Sequence, residues 1–354
     1  MNQKTDLRSL TRAELKELMP QLGLAAFRGE QIFDWAQKHA AASIDELSNL
    51  SAADIAKLKA FCFLSLPSII KKEAAANGDT AKLLLEFADG ERIETAIMFY
   101  SGNASRDRVT CCVSTQTGCV MGCKFCATAL YKQCRNLTAG EIVAQVQIAD
   151  KIAKELGTNG LTNLVYMGMG EPMLNLAEVK RSIELLNDER GLNIGQRKIA
   201  ISTCGLPEQI RQMADWGMQI HLAISLHAAN DELRRELMPA ASRYAIKELL
   251  AAADDYQEKT GRRVCYEYAL FKGVNDRPEA ARSLGKLLDG HGALINLIPA
   301  NPLPETGFIP SDDETIKHFS QLLSLYNVEV QVRQERGRDI NAACGQLRKR
   351  ISEV

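Results

Sequence analysis

The chain has 354 residues, 46% of them hydrophobic, and a formal net charge of −1. That length predicts roughly two domains, one large enough for an α/β barrel. The near-zero charge excludes a globally basic nucleic-acid binder, so any polyanion surface has to be local. Ten cysteines accompany a start without the charged-then-apolar layout of a secretion signal, and no apolar run approaches about 18 residues. These features argue against a disulfide framework or a membrane span, and for thiol or metal chemistry in a reducing cytoplasm.

In chain order, the first stretch reads as helices. Thr11-Arg12-Ala13-Glu14 has the pattern of a capping box and Ser51-Ala52-Ala53-Asp54 repeats it, while Phe27, Gln31, Ile32 and Trp35 recur between them at helical spacing. Pro67 closes this part, so residues 1–66 are expected to form a small N-terminal helical domain. Two strand-like runs, 81–87 and 92–99, flank Ala88-Asp89-Gly90. Asp-Gly between such runs predicts a β-hairpin, and residues 67–108 are expected to be a hairpin extension. Across 109–354 the pattern turns to strand then helix, repeated. Candidate strands lie at 108–114, 164–167, 198–202, 221–225, 264–270, 294–298 and 328–332, with helical stretches such as 138–155 and 246–259 between them. Such alternation predicts a parallel sheet with crossover helices. About six units fall short of the eight that close a barrel. The expected fold is α/β, a partial (βα)6 TIM-like barrel with the helical domain and the hairpin attached.

One short loop carries the most informative chemistry. Cys119, Cys123 and Cys126 stand in the spacing C-x3-C-x2-C, with no fourth cysteine or histidine nearby. Structural zinc sites want four protein ligands, and iron–sulfur clusters normally take four thiolates. Three thiolates on one loop therefore point to a cluster with one iron left open for a non-protein ligand. A loop of unrelated thiols and a weak zinc site are the alternatives.

In a parallel barrel the working residues gather at the C-terminal ends of strands. Gly168-Met169-Gly170-Glu171-Pro172 follows the 164–167 run. There Gly170 would admit close approach of backbone to a ligand, and Glu171 could accept from an ammonium or a ribose hydroxyl. Ser202 before Thr203-Cys204-Gly205, then Ser225-Leu226-His227, then Asn301, end or follow later strands. Each alone is an ordinary loop or core residue, but together around one face they suit a nucleoside and amino-acid ligand. Cys111 and Cys112 are neighbours on one strand, so only one can face the barrel mouth. Cys344 is flanked by Gly345 and preceded by Arg333, Arg336 and Arg338. It is expected in a mobile, electropositive setting that favours its thiolate. Cys62, Cys134, Cys204 and Cys265 read as structural.

The cysteine loop resembles the signature of the radical S-adenosylmethionine superfamily, in which the amino and carboxylate groups of that cofactor chelate the open iron. Together with 168–175, 202–205, 225–227, 296–302 and 339–347, it is similar to the dual-specificity RNA adenine methyltransferases of that superfamily. The resemblance covers most of the chain, and Ala342-Ala343-Cys344-Gly345-Gln346-Leu347 combined with Cys112 makes it specific. It implies methylation of carbon 2 of one adenine in 23S rRNA, and of the adenine just 3′ of the anticodon in some tRNAs. The sister type, Cfr, attacks carbon 8 and is the runner-up. Pro172 and Pro299 resemble the carbon-2 branch, whereas residues 304–311 depart from the family pattern.

The resemblance implies one 4Fe–4S cluster on Cys119, Cys123 and Cys126. It implies S-adenosylmethionine, two molecules per turnover, contacted by Gly170, Glu171, Ser202, Ser225, Leu226, His227 and Asn301. Carbon 2 of adenine is an electron-poor centre with no lone pair to attack a sulfonium methyl, so a radical route is needed. In the implied mechanism one cofactor molecule methylates Cys344 by displacement. A second yields a 5′-deoxyadenosyl radical that takes hydrogen from that methyl group, and the resulting methylene radical adds to carbon 2. Glu94 matches the family's proton acceptor. Cys112 then attacks the Cys344 sulfur and releases product through a transient disulfide. Also implied are RNA grip by the helical region, a basic surface of Arg333, Arg336, Arg338, Arg348, Lys349 and Arg350, and an electron donor such as flavodoxin or ferredoxin. A cytoplasmic monomer without membrane contact is expected. From a different class, a zinc-binding RNA adaptor without catalysis is the competing reading.

Overall fold

The computed structural model describes residues 4–100, 108–130, 134–301, 305–334, 336–337, 339–342 and 344–347. The N-terminal part runs through β1 (Thr5–Asp6), α1 (Arg12–Gln21), α2 (Arg28–Phe33), α3 (Ala52–Phe61) and β2 (Cys62–Phe63), and β2 pairs parallel with β1. Thr11 and Glu14 make the reciprocal capping box expected for α1, and Ser51 accepts from the Asp54 amide to start α3. Leu7, Leu15, Met19, Ile32, Phe33 and Leu58 are fully buried and give this part its core.

A single ten-stranded sheet makes up the rest. Its first three strands are β3 (Ser68–Ala74), β4 (Thr80–Glu86) and β5 (Arg92–Tyr100), followed by β6 (Arg108–Cys112), all paired antiparallel. From β6 onward every pairing is parallel, through β7 (Asn163–Tyr166), β8 (Ile199–Thr203), β9 (His221–Ser225), β10 (Cys265–Leu270), β11 (Leu294–Pro299) and β12 (Glu329–Val332). The crossovers carry α4 (Ala139–Glu155), α5 (Leu176–Asn187), α6 (Pro207–Ala214), α7 (Asp231–Leu237), α8 (Ile246–Thr260), α9 (Pro278–Leu288) and α10 (Asp313–Leu323). Strand order follows chain order without a swap, which is the winding of a barrel rather than of a doubly wound sheet.

One detail differs from the expectation. The hairpin is a three-stranded antiparallel unit continuous with the barrel sheet. β3 escaped notice because Ser68–Ala74 is mostly exposed and lysine-bearing, with no clean apolar alternation, the usual composition of a protected edge. Among the described residues the parallel part holds the seven strands expected, β6 to β12, with crossover helices after the first six of them.

Arg8 fastens the helical part to the barrel. It is 1% exposed, donates to the Ala36, Ala41 and Ser65 carbonyls at 2.7, 2.6 and 3.2 Å, and donates also to Gln147 of α4. Burial lowers its pKa to about 10. Arg181 to Glu14, Arg12 to Asp188, and Arg190 to Asp34 and Glu30 add ion pairs between α5 or the segment after it and the N-terminal helices. Arg8→Met would strand several buried acceptors at about 1–3 kcal/mol each. We expect it to lower the urea midpoint of the whole protein, a loss that equilibrium unfolding would register as well above 2 kcal/mol.

Candidate active site

Every second residue of a strand faces the inside of the partial barrel. On β9 these are His221, Ala223 and Ser225, and on β10 they are Cys265, Glu267 and Ala269. At the C-terminal ends of the strands, one cavity is lined by Cys119, Cys123, Cys126, Gly170, Glu171, Ser202, Ser225, His227, Asn301 and Cys344. An adjoining chamber holds Cys112 and Cys344, with Cys126, Asn301 and Arg333. Residues chosen from six separate stretches of sequence thus meet in one place. Leu226 and Glu94 are outside these linings. Leu226 is fully buried in the core, and only its backbone turns to the site, donating to the Glu267 carbonyl at 3.0 Å.

The cysteine loop is seated by backbone contacts. Thr115 and Gln116 amides donate to the Met169 carbonyl at 2.8 and 3.2 Å, Lys124 to Leu237 at 2.9 Å, and Ala127 to Gly345 at 2.8 Å. The need for glycine at Gly170 is structural: φ is +103°, and a Cβ there would sit 2.8 Å from the Gln116 nitrogen. The glycine lets the strand-end turn dock on the cysteine loop while it also lines the cavity. Glu171 lines the same cavity, and its two carboxylate oxygens accept from the Met173 and Cys204 amides at 3.0 and 2.7 Å, which orients the group and leaves further lone pairs, while burial pushes its pKa up.

Burial raises the Cys119 and Cys126 thiols, and neighbouring thiols of the same loop raise them further. Iron would relieve both effects, because a metal's charge favours the thiolate. Among the described residues no three such side chains converge on one point. That is the demand of a single ion, whereas in a cluster each thiolate takes its own iron. Cys204, read as structural, lies 3.8 Å from Cys123, sulfur to sulfur.

Glu267 is the functional-site residue that sequence reading passed over. It is buried on β10, accepts from the Ser202 and Ser225 hydroxyls at 2.7 and 3.3 Å, and stands 3.9 Å from Arg333. A glutamate alternating within an apolar strand was its only signal. The two serines therefore present oxygens oriented by a carboxylate. Among the described residues the Oδ1 of Asn301 is buried without a partner, an orphaned acceptor that suits an ammonium or hydroxyl of a bound cofactor. His227 is neutral: burial, then Arg234, lowers its pKa to about 3, and its Nδ1 accepts from the Ala269 amide at 2.9 Å.

Cys112 lies opposite Ala96 in the β5–β6 register, and its side chain faces the chamber while Cys111 is buried behind it. Cys344 arrives on a strap that leaves β12 and crosses to the antiparallel strands. Arg336 pins it by donating to Asp79 at 3.2 Å and to the Phe99 carbonyl at 3.0 Å, and Asp339 by accepting from the Ala76 amide at 2.8 Å. Asn301 donates to the Cys344 carbonyl at 3.3 Å. The setting is electropositive through Arg333, yet burial outweighs that charge and raises the Cys344 thiol, so in this conformation the thiolate is not favoured. Burial, and then the nearby Cys344, push Cys112 up to about 12.

Glu94 shares a strand face with Ala96 and Met98, but its carboxylate is 3.1 Å from Lys82 and 2% exposed. Of the local basic surface expected for RNA, Arg333 and Arg336 line the cavities. Arg338 and residues 348–350 of that surface lie outside the described residues. Residues 302–304, at the start of the divergent stretch, do as well. Among the described residues no helix is long and apolar enough to cross a membrane.

A three-thiol loop after the first parallel strand of a partial barrel, facing a cavity with polar groups at the strand ends, defines a radical S-adenosylmethionine protein, and the Radical SAM superfamily model matches residues 113–284. The model of the ribosomal RNA large subunit methyltransferase N-terminal domain matches residues 5–64. A protein of Clostridium perfringens (strain 13 / Type A), named "Probable dual-specificity RNA methyltransferase RlmN", is 48% identical over 340 residues, 96% of this chain and 95% of its own. One of the same name from Desulfitobacterium hafniense (strain DSM 10664 / DCB-2) is 43% identical over 349 residues, 98% of this chain and 97% of its own. The crystal structure of a radical SAM methyltransferase from Sphaerobacter thermophilus superposes with a TM-score of 0.92 at 43% identity, covering 98% of this chain and all of that one. The chain belongs to the RlmN family of dual-specificity RNA methyltransferases. Membership implies a 4Fe–4S cluster, S-adenosylmethionine and an RNA substrate.

Proposed function

We propose that this enzyme methylates carbon 2 of an adenine in 23S rRNA and of the adenine 3′ of the anticodon in some tRNAs, through a methylated Cys344. What supports the reading most is that Cys112 and Cys344, from opposite ends of the catalytic part, line one chamber beside the cysteine loop. Cys119, Cys123 and Cys126 would hold the cluster. Gly170 with Glu171, the Ser202, Ser225 and Asn301 side chains, the Leu226 backbone and His227 would form the cofactor's surroundings. When bound, cluster and cofactor supply a transferable methyl group and a means of abstracting hydrogen, and two cofactor molecules are consumed per turnover.

The remaining steps belong to protein groups. Cys344 takes the methyl group on sulfur and then bonds through that carbon to the base. Glu94, once parted from Lys82, accepts the proton that carbon 2 must lose, and the unpaired electron left on the adduct would be taken up by the cluster that Cys119, Cys123 and Cys126 hold. Cys112 attacks the Cys344 sulfur, so that an S–S bond forms as the S–C bond breaks, with its electron pair going to carbon and then to a proton. Arg333 is the cation facing both thiols. Two external thiol equivalents reopen the disulfide before the next turnover.

We propose also that residues 1–66 act as an RNA-gripping accessory domain, 67–108 as an extension and 109–354 as the catalytic barrel. A flavodoxin- or ferredoxin-like donor would serve a cytoplasmic monomer. The carbon-8 alternative gains nothing from the relatives named above. Anaerobic turnover on a 23S fragment followed by nucleoside chromatography against both isomers is the test. We expect 2-methyladenosine, and 8-methyladenosine as major product would overturn the assignment.

A further inference from the structure

At the N-terminal ends of the parallel strands, opposite the cysteine loop, the partial barrel opens into a cavity of about 810 Å³. Five arginines line it. Arg108 begins β6, Arg262 and Arg263 precede β10, and Arg333 and Arg336 come from the strap. Three of them are answered by carboxylates: Arg263 by Glu329 at 2.7 Å, Arg336 by Asp79 at 3.2 Å and Arg333 by Glu267 at 3.9 Å. Among the described residues the other two have no carboxylate partner. Arg108 lies 3.7 Å over the Tyr100 ring, and Arg262 donates to His221 at 2.9 Å while its own Nε is buried unpaired. Burial, and then Arg262, keep His221 uncharged. In a chain of net charge −1, two guanidinium groups at one opening without a carboxylate partner among the described residues are a local feature that the chemistry at the cysteine end does not use.

We infer that this opening binds the RNA backbone, with Arg108 and Arg262 on phosphates flanking the target adenine, so that the base enters the barrel from the end opposite the cluster. This deepens, and rests on, the RNA-methyltransferase reading above. The opening and the Cys112–Cys344 chamber share Tyr100, Met167, Arg333 and Arg336 in their linings, so the two adjoin across these side chains. Along β6, Arg108 and Cys112 are four residues apart, about 13 Å at the rise of a strand. That depth is within reach of an extruded nucleotide and its neighbour. Tyr100 stands on the path with Arg108 at 3.7 Å and Arg336 at 4.2 Å from its ring centre. Such a stack can take an unstacked base against a guanidinium plane. Phosphate contacts would supply affinity and register, and the reacting thiols the chemistry.

The experiment measures binding of the 23S fragment by the full chain over a range of salt concentrations. For the double variant Arg108→Gln/Arg262→Gln we expect at least roughly tenfold weaker binding near 0.1 M salt. The slope of log K against log salt should fall by roughly 0.7–0.9 per lost phosphate contact. Arg108→Lys/Arg262→Lys should keep most of that slope, which separates lost charge from a damaged fold. Arg211→Gln, whose partner is Asp255 on the outer helices, should bind as the unaltered protein does. Unchanged affinity and slope in the Gln pair, or an equal loss in Arg211→Gln, would overturn the site. The parent reading is tested separately in the unaltered protein: RNA bound at these arginines but never methylated would sink the function and leave the site standing.

Discussion

Alanine at any one of Cys119, Cys123 or Cys126 is expected to leave a protein that is colourless after anaerobic reconstitution and cleaves no S-adenosylmethionine. The loop supplies only three thiols, and a cubane that has lost one of three protein thiolates retains two anchors. Removing one thiol from a cavity-lining loop seated by backbone contacts costs little in packing, so the folded fraction should stay near that of the unaltered chain while iron and sulfide vanish together. Cys204, at 3.8 Å from Cys123, is a nearby thiol able to take its place. Cys123→Ala/Cys204→Ala is therefore the stricter variant at that position. Full iron and sulfide in Cys119→Ala or Cys126→Ala would remove that residue from the ligand set.

The three-thiol loop was legible because its spacing is a local property that chance seldom produces. The repeating strand–helix pattern was equally plain, since buried parallel strands and amphipathic crossovers write strong periodicities. What sequence could not carry is whatever depends on partners distant in the chain. Ser202 and Ser225 were chosen as ligand contacts in their own right, yet both hydroxyls donate to Glu267. That carboxylate lies two residues into an apolar strand and looks like any other polar residue there. Gly170 and Glu171 were read as ligand groups because they follow a strand. The Gln116 backbone and the Met173 and Cys204 amides, which they serve, come from the cysteine loop, their own turn and the next strand end. Charge was legible only in part for the same reason: arginines clustered in sequence near Cys344 suggested a local basic surface. Arg333 and Arg336 of that cluster line the cavities, while Arg108 and Arg262, isolated in the sequence, join them across the barrel. β3 was missed because an exposed edge strand has no buried face to impose alternation.

Cys112→Ala is expected to stop after one event, with RNA covalently attached to the protein through Cys344. Cys112 sits at the end of β6, seven residues ahead of Cys119, so one strand carries it to the same mouth as the cysteine loop. Its removal takes away the only step that breaks the Cys344 S–C bond. Methylation of Cys344 and attack on the base precede that step and should proceed. The observable is a slow-migrating species on a denaturing gel, collapsed by ribonuclease, at up to one RNA per chain, with multiple turnover lost. Cys344→Ala should form no such species, because the atom that bonds to the base is missing. A pH dependence follows from burial, which pushes the Cys112 thiol up to about 12. The attacking form is the thiolate, whose fraction grows about tenfold per pH unit below that value. In the unaltered enzyme any standing adduct should therefore shorten in lifetime as pH rises from about 7 to 9, whereas in Cys112→Ala it should not respond in this way. Normal turnover by Cys112→Ala without the slow species would return Cys112 to a packing role and require another group to release the product.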